Sequence, residues 1–282
     1  MIEYPATQPC GSSSGGSDLT VVIPVWDAYV RWLARSVAMI RRQVPSARVV
    51  IIDNASAVPL PLLPFDVEVL RLPMRHSVGA SRNLGLWAAR TPYVVFIDVD
   101  DDLPDGYLER QLQRFRRRPE LVAVGVRPTI WHPERAEEQP FAWPPRYTLV
   151  LCRVRRLFAL VHLLKPHLII GATMLSTSAV RLAGGFDDRN YREDMNLAQI
   201  LVFLGPVEIL PGPGRRYRQH ENSLSRSATA SDIHAGYVSG WRLLAAHPHV
   251  PRLAKWLLGV ARRTQSQSLR AAAASRSTDL PA

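Results

Sequence analysis

Residues 93–107, YVVFIDVDDDLPDGY, set the reading of the whole chain. Positions 93–97 are apolar or aromatic throughout, the pattern of a short strand buried on both faces. That strand runs directly into four carboxylates, Asp98, Asp100, Asp101 and Asp102. So much negative charge at the tip of a buried strand is unfavourable unless something positive sits beside it. Clustered hard oxygen donors suit Mg²⁺ or Mn²⁺, which keep waters and bridge to substrate phosphates. A helix start would account for Asp101 or Asp102, because Leu103-Pro104 follows and carboxylates favour a helix N-terminus. It leaves Asp98 unexplained, so the stretch reads as a metal-diphosphate site.

Upstream, short apolar runs alternate with helical periodicity. Residues 19–25 (LTVVIPV) read as a buried strand. Asp27 is placed to cap a helix with Val30, Leu33, Ala34, Val37 and Ile40 on one face. A second strand, 48–52 (RVVII), ends at Asp53-Asn54-Ala55-Ser56. A proline-rich loop then leads to a third strand at 67–72 and a helix over 78–89. This order predicts an α/β domain with a mainly parallel central sheet, in which ligands bind beyond the carboxyl ends of the strands. Asp53 and Asp98 both stand at such ends.

Downstream, the pattern predicts a helix at 104–117, a strand at 121–126 and a long surface loop over 128–147, a length often associated with function. One helix is expected over 149–164, a short one at 178–183 stopped by Gly184-Gly185, and another at 196–203. Glu193-Asp194 precede the last of these, and a strand follows at 207–210. The run RRYRQHENSLSR (215–226) comes next, then one or two helices to 263. The chain divides on this reading into a disordered leader (1–18), the α/β domain (19–226), a helical extension (227–263) and a disordered tail (264–282).

With 282 residues, 47% of them hydrophobic, the chain can bury one substantial core. The net charge of +11 is carried almost wholly by arginine, since Lys165 and Lys255 are the only lysines. An anionic nucleotide or an anionic membrane surface is compatible with that charge. A nucleic-acid partner is not expected, for want of a basic helix or an aromatic stacking motif. The two cysteines, Cys10 and Cys152, form no metal or disulfide pattern and fit a reducing compartment. The first 18 residues lack the features of a signal peptide, and no apolar run approaches the roughly 20 residues of a membrane span. A cytoplasmic protein is expected. The basic apolar segments 149–165 and 241–258 read first as helices covering the core, with peripheral contact at the inner face of a membrane as the alternative.

The blocks VVIPV, VVIIDNAS, VGASRNLGLWAARTPYVVFIDVDD, GATMLSTSAVRLAGGFDD and RED occur in this order. Together they resemble the inverting family 2 glycosyltransferases over residues 19–226. The resemblance implies a GT-A (Rossmann-like) fold that binds a nucleotide-diphosphate sugar, a UDP-sugar foremost, with Mn²⁺ or Mg²⁺. It implies that Pro24, Val25, Asp53, Arg82, Asp98 and Val99 contact the donor. Asp53 would meet the base from a DDGS-like motif in which Asn54 and Ala55 replace Asp and Gly. Asp98-Val99-Asp100 matches the DxD motif, with Asp100 on the metal and His220 as a further ligand. Asp194 would be the general base, with Glu193 the alternative. Gly79 and Gly85 are assigned to close helix packing, and Arg215, Arg216 and Arg218 to phosphate. The processive QxxRW signature is absent, so one sugar is transferred per binding event, to an acceptor the sequence does not specify. Two rival readings are a nucleotidyltransferase, whose glycine- and lysine-rich phosphate loop is missing from 19–30, and a catalytically silent nucleotide-sugar-binding protein.

Overall fold

The computed structural model describes residues 17–260, apart from 64–65, 142–143, 165–166, 190 and 219–227. Its strands are β1 (Leu19–Val25), β2 (Arg48–Asp53), β3 (Glu68–Arg71), β4 (Tyr93–Phe96), β5 (Ala123–Val126), β6 (Thr129–His132), β7 (Glu137–Pro140), β8 (Met174–Ser176), β9 (Val207–Leu210) and β10 (Arg216–Arg218). A 3₁₀ turn (Asp27–Trp32) leads into α1 (Leu33–Gln43), followed by α2 (Val78–Ala88), α3 (Tyr107–Arg117), α4 (Thr148–Leu151), α5 (Arg155–Leu164), α6 (Thr177–Leu182), α7 (Glu193–Leu204) and α8 (Ala230–Ala246). A further helical segment covers 252–260.

Seven strands form one sheet in the order β3-β2-β1-β4-β8-β5-β9. All neighbours are parallel except β8, which runs antiparallel to both β4 and β5. The apolar runs are continuous because both faces are covered. Val22, Val50, Val94 and Phe96 pack on the side of α2, α5, α6, α7 and α8. Their alternate neighbours Val21, Ile23, Val49, Ile51, Val95 and Ile97 pack beneath α1 and α3. Each such residue contributes about 1.5–3 kcal/mol by leaving water. Gly85 lets α2 lie on β1, since a Cβ there would overlap the side chain of Val22.

The chain builds outward from β1 through β2 to β3, then crosses back to place β4 on the other side of β1. The order therefore reverses between β1 and β4, and a crevice opens at the carboxyl ends of strands on either side of such a reversal. The sequence locates the acidic ends of both β2 and β4 correctly relative to that rim.

Several local expectations are corrected. Residues 128–147 are not a featureless loop: β6 and β7 pair as an antiparallel hairpin and β10 joins β6, making a second, three-stranded sheet. No residue of its three strands is buried, so it carries no apolar alternation to read. The expected helix over 149–164 breaks at 152–154 into α4 and α5. Helix α3 begins at Tyr107 after Gly106, and Asp102 instead bridges antiparallel to Arg216. Asp27 caps nothing; it takes a positive φ of 32° and its carboxylate accepts from the Ala57 amide at 2.7 Å. Helix α7 starts at Glu193, three residues earlier than expected, so Asp194 lies in the first turn rather than at the cap. The expected division at 226 falls outside the described residues. Leu244, Val250, Ala254 and Leu258, from α8 onward, join the same core cluster as the sheet.

Candidate active site

Val25, the last residue of β1, pairs with Asp53, the last of β2. Asp53 is buried, and both its carboxylate oxygens are engaged: Oδ1 accepts from the Ser56 amide at 2.9 Å and Oδ2 from Arg71 Nη1 at 2.7 Å. Arg71 also donates to the Ser56 carbonyl, closing a small ring around the turn. Asn54 exchanges side-chain hydrogen bonds with the backbone of His76 at 2.9 and 2.8 Å, which ties this turn to the approach to α2. Ala55 takes a left-handed φ of 54°, the conformation that the glycine of a DDGS motif adopts freely.

On the other side of β1, β4 runs out through Ile97, whose amide donates to the Val22 carbonyl, to Asp98. The chain turns at once, Asp101 N donating to Asp98 O at 3.0 Å. Val99 and Leu103 point down into the core and pin the turn from below. Val25 is likewise a core side chain, so Val25 and Val99 offer the rim only backbone, whereas Pro24 is half-buried. The carboxylates are left above, and positive charge from distant segments meets them. Arg82, in α2, donates to Asp98 Oδ1 at 2.7 Å and to Glu193 Oε1 at 2.7 Å. Arg215 lies 3.3 Å from Asp98 Oδ2 and is ion-paired to Asp101. Arg218 donates to the Asp100 carbonyl at 2.9 Å and to Asp102 Oδ2 at 3.0 Å, and Arg35 pairs with Asp102 from outside. A Cβ at residue 171 would fall on the Arg215 guanidinium, which is why Gly171 stands there.

Arg82 thus joins the acidic loop to the first turn of α7. Ser77 supports that junction: it caps α2 through the Ala80 amide and donates to the Asp188 carbonyl at 2.7 Å. Asp194 follows Glu193, with its carboxylate accepting from the Met195 amide at 2.7 Å. Burial alone would raise Asp98, but Arg82 and Arg215 outweigh it and hold the carboxyl below its usual range. Burial dominates at Glu193 and, with Asp194 adding to it against Arg82, lifts that carboxyl to about 7. Burial likewise lifts Asp101 to about 8, Asp98 and Asp100 adding to it and Arg215 opposing. Burial and then the charge of Asp100 push the Tyr29 phenol up to about 12, so this core tyrosine feels the acidic loop.

The structure brings Asp98, Asp100, Arg82, Glu193 and Asp194 to one corner of the rim, with Pro24 and Val25 one strand away and Asp53 two. His220 lies outside the described residues. Arg215 and Arg218, read from sequence as phosphate partners, are ion-paired to the acidic loop. Arg71, Tyr29 and Gly171 were not foreseen. An arginine-rich run after an aspartate-rich one was the available signal for Arg215; nothing local pointed to Arg71. Among the described residues no three His, Cys, Asp or Glu side chains group as cation ligands. Hard carboxylate oxygens still fit Mg²⁺ or Mn²⁺ where one or two suffice, with phosphate oxygens and water completing the shell.

A parallel sheet with one antiparallel strand and an acidic crevice at its switch point defines an α/β protein of GT-A type. Residues 20–176 match the family model described as Glycosyl transferase family 2, and the chain belongs to that family. It is 31% identical over 197 residues to the pre-mycofactocin glycosyltransferase of Mycobacterium tuberculosis, strains CDC 1551 and H37Rv alike, a match spanning 67% of this chain and 40% of the relative. The chain thus spans well under half the length of the curated relatives it matches. Among solved structures it resembles S. aureus TarS 1-349 in complex with UDP-GlcNAc, with a TM-score of 0.62, 12% identity and coverage of 82% of this chain and 68% of that one. The UDP complex of the same protein gives a TM-score of 0.61 over 82% and 67%. At this identity the likeness concerns the fold.

Proposed function

We propose that the protein moves one sugar from a nucleotide-diphosphate sugar, a UDP-sugar foremost, to an acceptor hydroxyl with inversion at the anomeric carbon. The observation that carries this reading is the junction made by Arg82, which holds Asp98 of the acidic loop and Glu193 of α7 on opposite guanidinium nitrogens. It sets a donor-binding corner and a candidate base side by side. The UDP and UDP-GlcNAc bound to the TarS neighbours support the choice of donor.

Asp53, with the backbone of Pro24 and Val25, would receive the nucleoside, and Asp98 and the Val99 backbone the ribose and the sugar-proximal end. Among the described residues the buried Nε–H groups of Arg82 and Arg215 have no partner, which supports a role as donors to an anionic ligand. Asp100, with His220, would hold Mn²⁺ or Mg²⁺, which when bound offsets negative charge on the departing diphosphate. Asp194 takes the proton of the acceptor hydroxyl as it attacks from the face opposite the nucleotide. Glu193, fixed on Arg82, orients that turn and is the alternative base. A buried free thiol at Cys152 fits the reducing cytoplasm, where we place the reaction.

Replacing Asp194→Asn tests the assignment. Turnover should fall about 10²–10⁴-fold, the usual contribution of a general base. The calorimetric affinity for the UDP-sugar with Mn²⁺ should stay within about threefold of the parent value. Undiminished turnover would remove Asp194 from the mechanism.

A further inference from the structure

The segment joining the second sheet to β8 carries an apolar surface that no described residue covers. Helix α5 turns Phe158, Ala159 and Leu163 into the core. Its opposite face, continued back through α4, exposes Tyr147, Val150, Val154, Leu157 and Leu160, with Val150, Val154 and Leu157 open by 64, 55 and 49%. Large aliphatic residues at this spacing on the outer face of two successive helices exceed the scattered apolar exposure of an ordinary surface.

Charge specifies what fits there. Arg146, Arg153, Arg155 and Arg156 are exposed among these residues. Between Glu138 and Asp187 the sequence contains no Asp or Glu. Arg155 donates to the Phe203 carbonyl at 3.0 Å, and its charge is left uncompensated by that bond. The helical segment 252–260 repeats the composition: Leu253 and Trp256 are each 62% open beside Arg252 and Lys255. No acidic residue lies between Asp232 and Asp279. Several arginines elsewhere are ion-paired, as Arg114 and Arg118 are with Glu208.

We propose that the outer face of α4 and α5 docks on an anionic lipid bilayer, its aliphatic side chains entering the acyl boundary and its arginines meeting headgroup phosphates. Such a surface needs both components, an apolar face to enter the interface and basic residues to draw it to the lipid. Among the described residues no helix is long and apolar enough to cross a membrane, so the contact is peripheral. The inference stands on this surface alone and does not depend on the reaction proposed above.

Co-sedimentation of the full chain with vesicles tests it. Vesicles with about a third phosphatidylglycerol should retain the protein at least tenfold better than pure phosphatidylcholine, the order of effect expected of several basic residues near a charged surface. The double replacement Val154→Glu/Leu157→Glu should abolish the difference, and Arg153→Ser/Arg156→Ser should reduce it severalfold. These side chains are exposed, so an unchanged thermal melt and circular-dichroism spectrum would exclude unfolding as the cause. Failure to bind anionic vesicles would overturn the proposal, as would binding that the glutamates leave untouched. A concentration-dependent dimer dissolved by Leu157→Glu, without lipid binding, would assign the face to a second copy of the chain instead.

Discussion

The two acidic corners of the rim solve the same problem in different ways. At the end of β2, Asp53 is neutralised within its own neighbourhood, by the Ser56 amide and by Arg71, whose side chain is 59% open to solvent. At the end of β4, Asp98 and Asp101 are neutralised by Arg82 and Arg215, only 7 and 10% open and drawn from α2 and from the approach to β10. The first corner is a turn that could form alone. The second is a desolvated network that exists only when the second half of the chain is docked, so it ties the fold together as well as lining the crevice.

That contrast predicts unequal sensitivities. Removing one partner from a buried pair leaves an uncompensated charge, at a cost of about 3–5 kcal/mol, whereas an exposed pair contributes about 0–1 kcal/mol. Arg215→Met should therefore lower the urea unfolding free energy by about 3–5 kcal/mol. Gly171→Ala should reproduce much of that loss by displacing the same guanidinium. Arg71→Met should cost less, about 1–2 kcal/mol, because buried Asp53 loses a partner that is itself largely in water and keeps the Ser56 amide. Comparable losses at Arg71 and Arg215 would erase the distinction between the corners.

Proton binding sharpens the same comparison. Asp101 rises from 3.8 to about 8 and Glu193 from 4.5 to about 7 on folding, in both cases chiefly through burial. Groups raised in this way bind more protons folded than unfolded. Their contribution to stability is complete below about pH 4 and is lost as pH climbs through 7 and 8. Asp98, held low by its arginines, works in the opposite sense, its contribution being lost only in acid. The melting temperature should thus fall between pH 6 and pH 9, and Asp101→Asn, which keeps the neutral form, should flatten that fall. Equal melting temperatures at pH 6 and 9 would mean that Asp101 is ionised throughout, and the network would then be a full set of ion pairs. In activity, an inflection near pH 7 that survives Asp194→Asn and vanishes in Glu193→Gln would transfer the role of base to Glu193.

How far the sequence could be read follows the same division. Burial on both faces makes a strand continuously apolar, so β1, β2 and β4 were visible, and the carboxylates at their ends marked the rim. The β6–β7 hairpin was missed because a sheet with no buried strand residue needs no apolar alternation, and Glu137–Pro140 has none. β8 escaped notice because three residues, Met174–Ser176, are too few to show a period. The start of α7 was misjudged because Arg192, in a left-handed conformation with φ 80°, supplies no capping side chain. The clamp by Arg215 needed a contact between residues 117 positions apart, which no local pattern contains.

The smallest predicted effect concerns Ala55. Its φ of 54° lies in the left-handed region, which costs a residue with a Cβ about 1–2 kcal/mol. The conformation is held because it turns two successive amides onto carboxylates, Ser56 N onto Asp53 and Ala57 N onto Asp27, while Ser56 Oγ accepts from the Asp27 amide at 3.1 Å. Glycine would relieve the steric cost but would lose about 0.5–1 kcal/mol through its more flexible unfolded chain. The balance favours Ala55→Gly by roughly 0.5–1 kcal/mol, or a melting temperature higher by about 2 °C. Ala55→Val, with a branched Cβ in the same conformation, should lower it. Scanning calorimetry of the two variants reads both signs at once. A fall with glycine would mean that the turn does not hold Asp53 through a left-handed residue. The β2 corner would then owe its position to Arg71, and the two corners would be alike after all.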